Sequence, residues 1–446
     1  MMKVIIIGGV AAGMSAAAKL KRVDKETQIT VYEKSKHVSF GACGLPYFVG
    51  KFFEDSEKLI SRSVEQFQKT GIEVHIEHEV IAINPEEKTV VVKNLQTGQQ
   101  LTDTYDKLML ATGASAIIPP IKNSNLNHVY TLKTMEDGQH LKAAMEDENI
   151  KSIGIIGAGF IGIEVIEAAK QYNKEVHLFQ LSPRILADAF DQEITDILEE
   201  ELRAHNVHLH LSETVTEFMG DQTVSAVVTE SGSHFNLDLV VISAGVRPNT
   251  SFLQDTNIRM LQNGAIIIDQ EGKTSVPNIY AAGDCATIYH ALKSEPAYIP
   301  LATGANKMGR IIGENLAGSD RAFIGSLASA CIKVMDLEAG RTGLTEEEAQ
   351  KMGIDYQIVC ITDMNQTHYY PGQSKITIKL IYNRETKVIL GGQAVGYKGA
   401  VGRVNVLATA IFAGLTTEQL AMLDLCYAPP FARTWDALNV AGNVAK

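Results

Sequence analysis

Short apolar runs separated by glycine turns dominate the first part of the chain. Residues 4–7 are apolar and precede a glycine pair, residues 13–22 form an alanine-rich stretch of helical character, and a second apolar run at 29–32 ends at an acid, Glu33. Short apolar runs bounded by glycine are typical of buried parallel strands. The order of strand, glycine turn, helix, strand and acid predicts a βαβ unit of roughly thirty residues.

The same plan returns in the middle of the chain. Residues 153–156 form an apolar run, residues 157–162 a glycine turn, residues 163–172 a helical stretch, and residues 176–179 a second apolar run. The first glycines of the two turns are 149 positions apart. This spacing indicates a long-period duplication of one supersecondary unit.

The C-terminal part has a different pattern. Residues 376–380 alternate apolar and polar side chains, as in a half-buried strand, and apolar residues at helical spacing follow. The helical positions are Val401, Val404, Leu407, Ala408, Ile411 and Leu415. We interpret this apolar helix face as core rather than as a subunit contact. Together the patterns predict an α/β fold of two Rossmann-like domains, followed by a C-terminal α+β domain beginning near residue 325.

The size and charge of the chain restrict its partners. The sequence has 446 residues, enough for about three domains at roughly 150 residues each. It carries 52 acidic and 40 basic residues, a net charge of −12, and no long basic run. This balance disfavours attraction to a phosphate backbone, so no nucleic-acid partner is expected.

The cysteines and apolar stretches bear on the cellular compartment. Five cysteines are scattered singly, and no histidine cluster has zinc-site spacing, so neither a disulfide framework nor a metal site is expected. They are Cys43, Cys285, Cys331, Cys360 and Cys426. No uninterrupted apolar stretch reaches the ~18 residues of a membrane helix, and the run at 4–7 is too short for a signal peptide. We therefore expect a cytoplasmic protein without a membrane partner.

The first glycine turn is an imperfect dinucleotide fingerprint. Its middle glycine is replaced, but Glu33 lies twenty residues beyond Gly13, where an acid can bind a ribose hydroxyl. A purely structural turn is the alternative. The predicted ligands of the first dinucleotide are Gly8, Gly9, Val10, Ala11, Ala12, Gly13, Glu33 and Lys34.

The second glycine turn is a complete G-x-G-x-x-G fingerprint. Its strand ends at Gln180 instead of an acid, and Arg184 follows four residues later. Glutamine cannot repel a 2′-phosphate and arginine can bind one, so both NADH and NADPH are permitted; a solvated surface role is the alternative for Arg184. The predicted ligands of the second dinucleotide are Gly157, Gly159, Phe160, Ile161, Gly162, Glu164 and Gln180.

Further small-residue segments complete the pattern. Two predicted strands end in small residues, at 111–113 and 244–245, which would let the backbone pass close to a flavin. Asp284, expected at a helix start, can bind ribityl hydroxyls. The predicted cofactor residues in these segments are Ala111, Thr112, Gly113, Gly245, Gly283, Asp284 and Ala302. The order of motifs resembles the pyridine nucleotide–disulfide oxidoreductase family.

This resemblance spans essentially the whole chain and carries expectations for fold and cofactors. It implies FAD on the first unit, NADH or NADPH on the second, and a homodimer. The implied domains are an FAD-binding domain at 1–115 and 237–324, an NAD(P)H-binding domain at 116–236, and a dimerisation domain at 325–446.

The segment around Cys43 indicates the branch of the family. Members that reduce glutathione or lipoamide carry C-x-x-x-x-C here, whereas this chain has Phe48 five residues after Cys43. The family's C-terminal His-Pro dipeptide is also missing. Both features resemble the single-cysteine branch, which holds coenzyme A-disulfide reductases and NADH oxidases and peroxidases. A lone cysteine can store two electrons as a mixed disulfide or as a sulfenic acid.

Two features favour the coenzyme A-disulfide reductase reading. Oxidase and peroxidase members carry a histidine where this chain has Val10, and Tyr427 and Tyr369 resemble the two proton-donating tyrosines that reach the active site from the partner subunit. Tyr370 is the alternative to Tyr369. One departure is Ala42, which replaces an asparagine that helps to hold substrate in relatives. The predicted substrate-binding residues are Lys19, Arg22, Ser39, Phe40 and Ala42.

The expected function is reduction of coenzyme A disulfide, or a related small disulfide, by NAD(P)H through FAD and Cys43. The catalytic residues would be Cys43, Tyr427 and Tyr369, and the helix start after Leu45 and the bound flavin would together depress the pKa of the Cys43 thiol. The alternative is an NADH oxidase or peroxidase that uses a Cys43 sulfenic acid. A remote alternative is a redox sensor without turnover.

Overall fold

The computed structural model describes residues 1–445. Its helices are α1 (Ala11–Val23), α2 (Leu45–Val49), α3 (Val64–Gln68), α4 (Met135–Glu146), α5 (Phe160–Lys170), α6 (Gln192–Ala204), α7 (Ala302–Leu316), α8 (Glu346–Lys351), α9 (Ala400–Phe412), α10 (Thr417–Ala421) and α11 (Ala437–Val444). Within the described residues, no helix combines the length and the apolar character needed to cross a bilayer.

The strands are numbered in chain order. They are β1 (Lys3–Ile7), β2 (Gln28–Tyr32), β3 (Ile72–His75), β4 (His78–Asn84), β5 (Thr89–Asn94), β6 (Gln100–Thr104), β7 (Lys107–Leu110), β8 (Ala114–Ala116), β9 (Val129–Tyr130), β10 (Ser152–Ile156), β11 (Glu175–Gln180), β12 (Val207–Leu211), β13 (Val215–Gly220), β14 (Val224–Thr229), β15 (His234–Asn236), β16 (Leu239–Ile242), β17 (Val246–Pro248), β18 (Ile279–Ala281), β19 (Ile288–His290), β20 (Glu295–Ala297), β21 (Ala330–Val334), β22 (Leu337–Gly343), β23 (Tyr356–Met364), β24 (Lys375–Asn383) and β25 (Ile389–Gly396).

The first sheet has the strand order β18-β7-β1-β2-β3, and its neighbouring strands run parallel. Val4, Ile5 and Ile6 of β1 are fully buried, as a central strand covered on both faces requires. The first predicted βαβ unit is therefore present. Because β18 returns to this sheet from late in the chain, the first unit is built from two separate segments.

The second sheet has the order β12-β11-β10-β16-β9 and is also parallel. It contains β16, which pairs with β10 through Ile153 and Leu239. The predicted domain boundary at residue 237 is wrong in this respect, because it assigned β16 to the first domain. In each unit, an apolar strand that ends in small residues lies beside the first strand. The sequence of β16 fits this position in either sheet, so the sequence alone could not assign it. The chain crosses between the units at β8 and β17, which pair with each other.

The third sheet lies in the C-terminal part and has the antiparallel order β21-β22-β25-β24-β23. Helix α9 packs on it and confirms the helix predicted from apolar spacing. Residues 376–380 are buried on both faces, so the expected half-buried strand is wrong. The polar position Lys379 is buried because its ammonium lies 2.7 Å from both Glu193 and Glu346, which ties this sheet to the start of α6.

Candidate active site

The first glycine turn is a tight loop between β1 and α1. Gly8 has φ +107°, and a Cβ there would lie 2.1 Å from the Ala111 carbonyl oxygen. A Cβ on Gly13 would lie 1.9 Å from the Gly8 oxygen. Only glycine therefore fits these positions. The loop is held against the end of β7, which brings the predicted residues at 8–13 and 111–113 together.

The second glycine turn repeats this geometry between β10 and α5. Gly157 has φ +104°, and a Cβ there would lie 2.6 Å from the Ser243 oxygen; one on Gly162 would lie 2.1 Å from the Gly157 oxygen. Gly159 is different, since a Cβ there would meet nothing within 4 Å. The outer glycines shape the turn, and the space beside Gly159 is free for a ligand.

The helices that follow both turns begin without side-chain caps. The residues before α1 and α5 are Val10 and Gly159, and neither helix has an acid in its first turn. Helices α4, α8, α10 and α11 each begin with a capping box, whereas α2, α6, α7 and α9 also lack a side-chain cap. The first amide groups of a helix need acceptors, and a phosphate group satisfies them. The starts of α1 and α5 combine a missing cap with a preceding glycine turn, and this combination fits the pyrophosphates of two dinucleotides.

The side chain at the end of the second strand supports the glycine turn in each unit. Glu33 is buried, and its two carboxylate oxygens accept hydrogen bonds from the Gly9 and Ser35 amides at 2.6 and 2.8 Å. In the second unit, Gln180 Oε1 accepts from the Ala158 amide at 2.9 Å. The same position thus carries a negative charge in one unit and a neutral amide in the other. A ribose bound to the first unit would therefore meet a carboxylate, and one bound to the second unit would meet a neutral amide.

Arg184 is directed away from this strand end. Its guanidinium donates hydrogen bonds to the Phe190 carbonyl oxygen and to Thr195 Oγ1, both at 3.1 Å. The physical reason is the short loop before α6, which offers the arginine acceptors close to its own backbone. These bonds already occupy part of the guanidinium, and the expected contact between Arg184 and a 2′-phosphate stays a prediction.

Asp284 lies next to the first unit but not at a helix start. After Gly283, the chain forms the hairpin β19–β20, and the next helix, α7, begins only at Ala302. The expected helix start at Asp284 is therefore wrong. Its carboxylate instead accepts from Lys133 Nζ at 2.8 Å, and its carbonyl oxygen accepts from the Tyr298 hydroxyl at 3.0 Å. These contacts fix Asp284 beside the turn of residues 8–13, since a Cβ on Gly283 would lie 3.2 Å from Ala12 Cβ.

Cys43 lies in a short 3₁₀ turn, Ala42–Gly44, directly before α2. Its side chain is exposed, whereas the next residue but one, Leu45, is buried in the core between α2, α4 and α5. The apolar anchor holds the turn in place while the sulfur faces outward. A reagent in solution can therefore reach the sulfur.

The protein groups around Cys43 do not favour the thiolate form of its side chain. Protein packed around the sulfur raises the pKa of the thiol, and the carboxylates of Glu164 and Asp284 raise it further, against a smaller opposing effect of Lys133. The helix start does not depress this pKa in the chain by itself, and the expected effect of a bound flavin stays a prediction. The helix behind it, α2, has only five residues and a weak dipole, and two negative charges outweigh it.

Glu164 connects the Cys43 segment to the second unit. It lies in the first turns of α5, where the Tyr47 hydroxyl donates to its Oε1 at 3.3 Å. Burial raises the pKa of Glu164 to about 7, and neighbouring Glu167 acts in the same direction. A carboxyl that titrates near neutrality is typical of functional sites. Residues of both glycine units thus surround the Cys43 turn.

The two predicted tyrosines come together in the C-terminal domain. The hydroxyls of Tyr369 and Tyr427 lie 3.1 Å apart, and both side chains are exposed. Tyr370 is also exposed, but its hydroxyl makes no such contact within residues 1–445. The pairing therefore singles out Tyr369 over Tyr370. Among the hydrogen bonds of the described chain, neither hydroxyl bonds to the Cys43 turn.

The predicted substrate-binding residues have separate environments. The Lys19 ammonium lies 2.6 Å from Glu314 of α7, and the Arg22 Nε donates to the Ala18 carbonyl oxygen at 3.1 Å. Phe40 forms a bridge with Ile60 and thereby fixes the strand-like segment before Ala42. Ser39 adopts φ 53°, a strained conformation for serine. In this chain the expected phosphate ligand Lys19 is already neutralised by a carboxylate.

Sequence reasoning missed three residues that border the site. Tyr47 stands four residues after Cys43, and this spacing was the signal that could have found it. Lys133 lies 151 positions from Asp284, and Tyr298 returns to it 14 positions later, after the hairpin β19–β20. Nothing in their local sequence indicates this contact.

Comparison with known proteins agrees with this geometry. The family profile described as pyridine nucleotide-disulphide oxidoreductase matches residues 2–309, and its dimerisation domain matches residues 329–438. The NAD(P)H coenzyme A polysulfide/persulfide reductase of Pyrococcus horikoshii is 39% identical over 445 residues, covering 100% of this chain and 98% of that protein. The coenzyme A disulfide reductase of Staphylococcus aureus is 32% identical over 448 residues, with 100% of each chain covered.

A solved structure extends the comparison to another activity. The water-forming NADH oxidase from Lactobacillus brevis bound to NADH matches with a TM-score of 0.95 and 32% identity, covering 100% of this chain and 98% of that chain. The duplicated glycine turns, the single exposed cysteine between them and the full-length matches lead to one assignment. The chain belongs to the pyridine nucleotide–disulphide oxidoreductase family and is an oxidoreductase.

Proposed function

We propose that this chain uses NADH or NADPH and FAD to reduce coenzyme A disulfide, or a related small disulfide or persulfide, through Cys43. The observation that carries the proposal is the position of Cys43. It is an exposed thiol whose pKa is raised by the charges of Glu164 and Asp284, which come from the second and the first nucleotide unit respectively. The P. horikoshii and S. aureus relatives support this substrate class.

The two glycine turns assign the cofactors. We place FAD on the turn at 8–13, with Glu33, Asp284 and the segment 111–113, and NAD(P)H on the turn at 157–162, with Gln180. FAD, when bound, supplies a two-electron relay between a nicotinamide hydride and sulfur. The division of the chain then follows the sheets, with the FAD-binding part interrupted by the NAD(P)H-binding part that includes β16.

The sulfur chemistry proceeds in two balanced steps. The Cys43 thiolate attacks one sulfur of the disulfide, the S–S bond breaks, and one coenzyme A leaves as a thiolate that takes up a proton. Cys43 and the other coenzyme A are then joined by a mixed disulfide. Two electrons from one NAD(P)H reduce this bond, which restores the Cys43 thiolate and releases the second coenzyme A. The sum consumes one NAD(P)H and one proton and yields two thiols.

The tyrosine pair supplies the proton in this proposal. Tyr427 and Tyr369 are exposed on the domain that matches the dimerisation profile. We infer that in a homodimer the pair of one subunit serves Cys43 of the other and protonates the leaving thiolate. A reducing, cytoplasmic compartment suits a protein with five unpaired cysteines.

Replacement of Cys43 by serine tests the proposal. Cys43→Ser is expected to keep the flavin spectrum and its reduction by NADH but to lose turnover with coenzyme A disulfide. Mass spectrometry of the intact, unreduced wild-type protein is expected to show an adduct of coenzyme A mass on Cys43. Undiminished disulfide turnover in Cys43→Ser would falsify the proposal.

A second candidate function is reduction of oxygen or peroxide through a Cys43 sulfenic acid. The likeness to the L. brevis water-forming NADH oxidase favours it, whereas Val10 in place of a histidine speaks against it. Oxygen uptake matched to NADH loss without added disulfide, together with one added oxygen on Cys43, would support this function over disulfide reduction.

A further inference from the structure

A cluster of imidazoles lies on one face of the second sheet, β12-β11-β10-β16-β9, outside the site described above. This sheet is the NAD(P)H-binding sheet of the proposed function. Strands β11 and β12 are parallel neighbours at the edge of this sheet, and their register pairs His177 with His208. Side chains two positions apart on a strand share a face, so Glu175 lies on the same face as His177. The register thereby collects one carboxylate and two imidazoles from residues far apart in the sequence.

The donor atoms of this cluster face one another. Glu175 Oε1 lies 3.3 Å from His177 Nε2 and 3.2 Å from His208 Nε2. The three donor atoms all lie within 4.8 Å of one another. Zinc bonds of about 2.0–2.1 Å at tetrahedral angles put neighbouring ligand atoms about 3.3 Å apart. The two distances from Glu175 Oε1 match this spacing, and the donor nitrogens of the two histidines lie within 4.8 Å of each other.

A third histidine orients the first ligand. His177 Nδ1 lies 3.0 Å from His210 Nε2, so His177 has a hydrogen-bond partner on the ring nitrogen that faces away from Glu175. His210 is itself held between aromatic rings, with centroids 4.6 Å from Phe179 and 4.4 Å from Phe235. Metal-bound histidines commonly have such a partner, which fixes the ring and its tautomer.

The carboxylate is available to a cation. Lys170 lies close enough to feel the charge of Glu175, but its ammonium donates to the carbonyl oxygens of Lys174 and Asn206, at 3.5 and 3.2 Å. The ion pairs of Glu175 within residues 1–445 are those with the two histidines. Glu175 and His208 are also half exposed, at 55% and 50% of their side chains, so an ion can enter from solvent.

We propose that Glu175, His177 and His208 bind one divalent transition-metal ion of the zinc class, with water as the fourth ligand. Two imidazoles and one carboxylate are a ligand set that zinc accepts, and three protein ligands leave one position open. The ion bridges the edge strand β12 to β11. Its effect is stabilisation of the NAD(P)H-binding sheet, at the end remote from Gln180, rather than chemistry at Cys43.

Equilibrium dialysis of the FAD-loaded enzyme against zinc ions, with metal counted by mass spectrometry, tests the proposal. The wild type is expected to bind one zinc ion per chain at this site, and the ion is expected to raise the thermal midpoint. His208→Asn and Glu175→Gln change exposed side chains and should fold normally. Each is expected to weaken zinc binding by more than about tenfold, with unchanged NADH oxidation.

His205→Asn is the matched control. His205 forms a second group with Glu201 and Asp336, whose donor atoms also lie within 4.8 Å of one another. This group has one imidazole instead of two, and its ion pairs use opposite ring nitrogens, with Nδ1 3.5 Å from Glu201 and Nε2 3.4 Å from Asp336. Its replacement is expected to leave zinc binding unchanged.

Zinc-edge X-ray absorption identifies the ligand atoms directly. The expected spectrum shows nitrogen and oxygen at about 2.0–2.1 Å and no sulfur at about 2.3 Å. Sulfur ligation, zinc binding that survives in both His208→Asn and Glu175→Gln, or binding that is lost in His205→Asn would each overturn the proposal.

Discussion

The hydroxyl groups of Tyr369 and Tyr427 lie 3.1 Å apart, although the residues come from two separate loops of the C-terminal domain. This hydrogen bond raises the pKa of Tyr427 above its ordinary value. Tyr427 is therefore protonated at neutral pH, and its exposed position lets it meet a second molecule. A protonated phenol at an exposed site can act as a general acid toward a leaving thiolate.

Removal of either hydroxyl of the pair is expected to slow disulfide reduction. Tyr427→Phe and Tyr369→Phe should each lower kcat by about 10²-fold, the lower end of the contribution of a general acid. Steady-state rates of NADH oxidation with coenzyme A disulfide measure this effect. Tyr370→Phe is the matched control, since it removes a neighbouring hydroxyl outside the pair. Equal losses in all three variants would show that the pair has no special role.

Glu164 is expected to make stability depend on pH. Its pKa is about 7 in the folded chain against an ordinary value of 4.5. Between these values the folded state holds the extra proton, so the free energy of unfolding falls as pH rises and becomes level above about pH 7. The loss amounts to at most about 3 kcal/mol, at 1.36 kcal/mol per pKa unit.

Unfolding of Glu164→Gln at several pH values checks this expectation. The variant cannot lose a proton here, so its stability relative to the wild type should increase from about pH 4.5 to about pH 7. Glu57→Gln removes an exposed carboxyl and should show no such trend. Parallel pH profiles of the wild type and Glu164→Gln would contradict the assignment.

The Cys43 thiol is expected to react slowly in the flavin-free chain. Partial desolvation by the protein packed around the sulfur and the charges of Glu164 and Asp284 raise its pKa, so the thiolate is scarce at neutral pH. Glu164→Gln should speed alkylation by iodoacetamide and Lys133→Met should slow it, each by less than about tenfold, because tenfold corresponds to a full pKa unit.

Alkylation must be counted on the peptide that contains Cys43, because three other cysteines are also exposed. Those three cysteines, Cys331, Cys360 and Cys426, serve as internal references in the same digest. If both variants change the rate in the same direction, local charge does not control this thiol.

The sequence predicted the parts of the fold that local pattern determines. Both glycine turns lie between a strand and a helix, because the steric need for glycine at positions such as Gly8 and Gly157 is local. The helix at 400–412 followed from its apolar spacing in the same way. The pairing of Tyr369 with Tyr427 and of Lys133 with Asp284 depends on chain segments meeting in space, and no local pattern encodes it.

The errors have the same origin. Strand β16 was assigned to the wrong sheet because an apolar strand does not show which neighbour it pairs with. The polar position Lys379 made a buried strand look half exposed, since its burial depends on the acids of α6 and α8. The charges that oppose the helix start at Cys43 were not foreseen, because Glu164 and Asp284 lie more than a hundred positions away in the sequence.

The two glycines of the second turn are expected to differ in their tolerance of alanine. A Cβ on Gly162 would lie 2.1 Å from the Gly157 oxygen, whereas one on Gly159 would meet nothing within 4 Å. Gly162→Ala should lower stability by about 1–3 kcal/mol, as overpacking typically does. Gly159→Ala should stay within about 0.5 kcal/mol of the wild type. Urea unfolding of both variants measures the contrast, and equal losses would show that the turn relaxes around a methyl group.

Gln180 is expected to decide the choice between NADH and NADPH. It occupies the position of Glu33 in the first unit, and each side chain accepts a hydrogen bond from its glycine turn, at 2.9 and 2.6 Å. Gln180→Glu keeps this acceptor and adds a negative charge at the ribose position, where it repels a 2′-phosphate. The kcat/KM for NADPH should therefore fall by about tenfold or more relative to that for NADH, equivalent to at least about 1.4 kcal/mol. Arg184→Gln is the control and should change the ratio little, because the guanidinium is bound to Phe190 and Thr195. A ratio that responds to Arg184 and not to Gln180 would place the 2′-phosphate at the arginine instead.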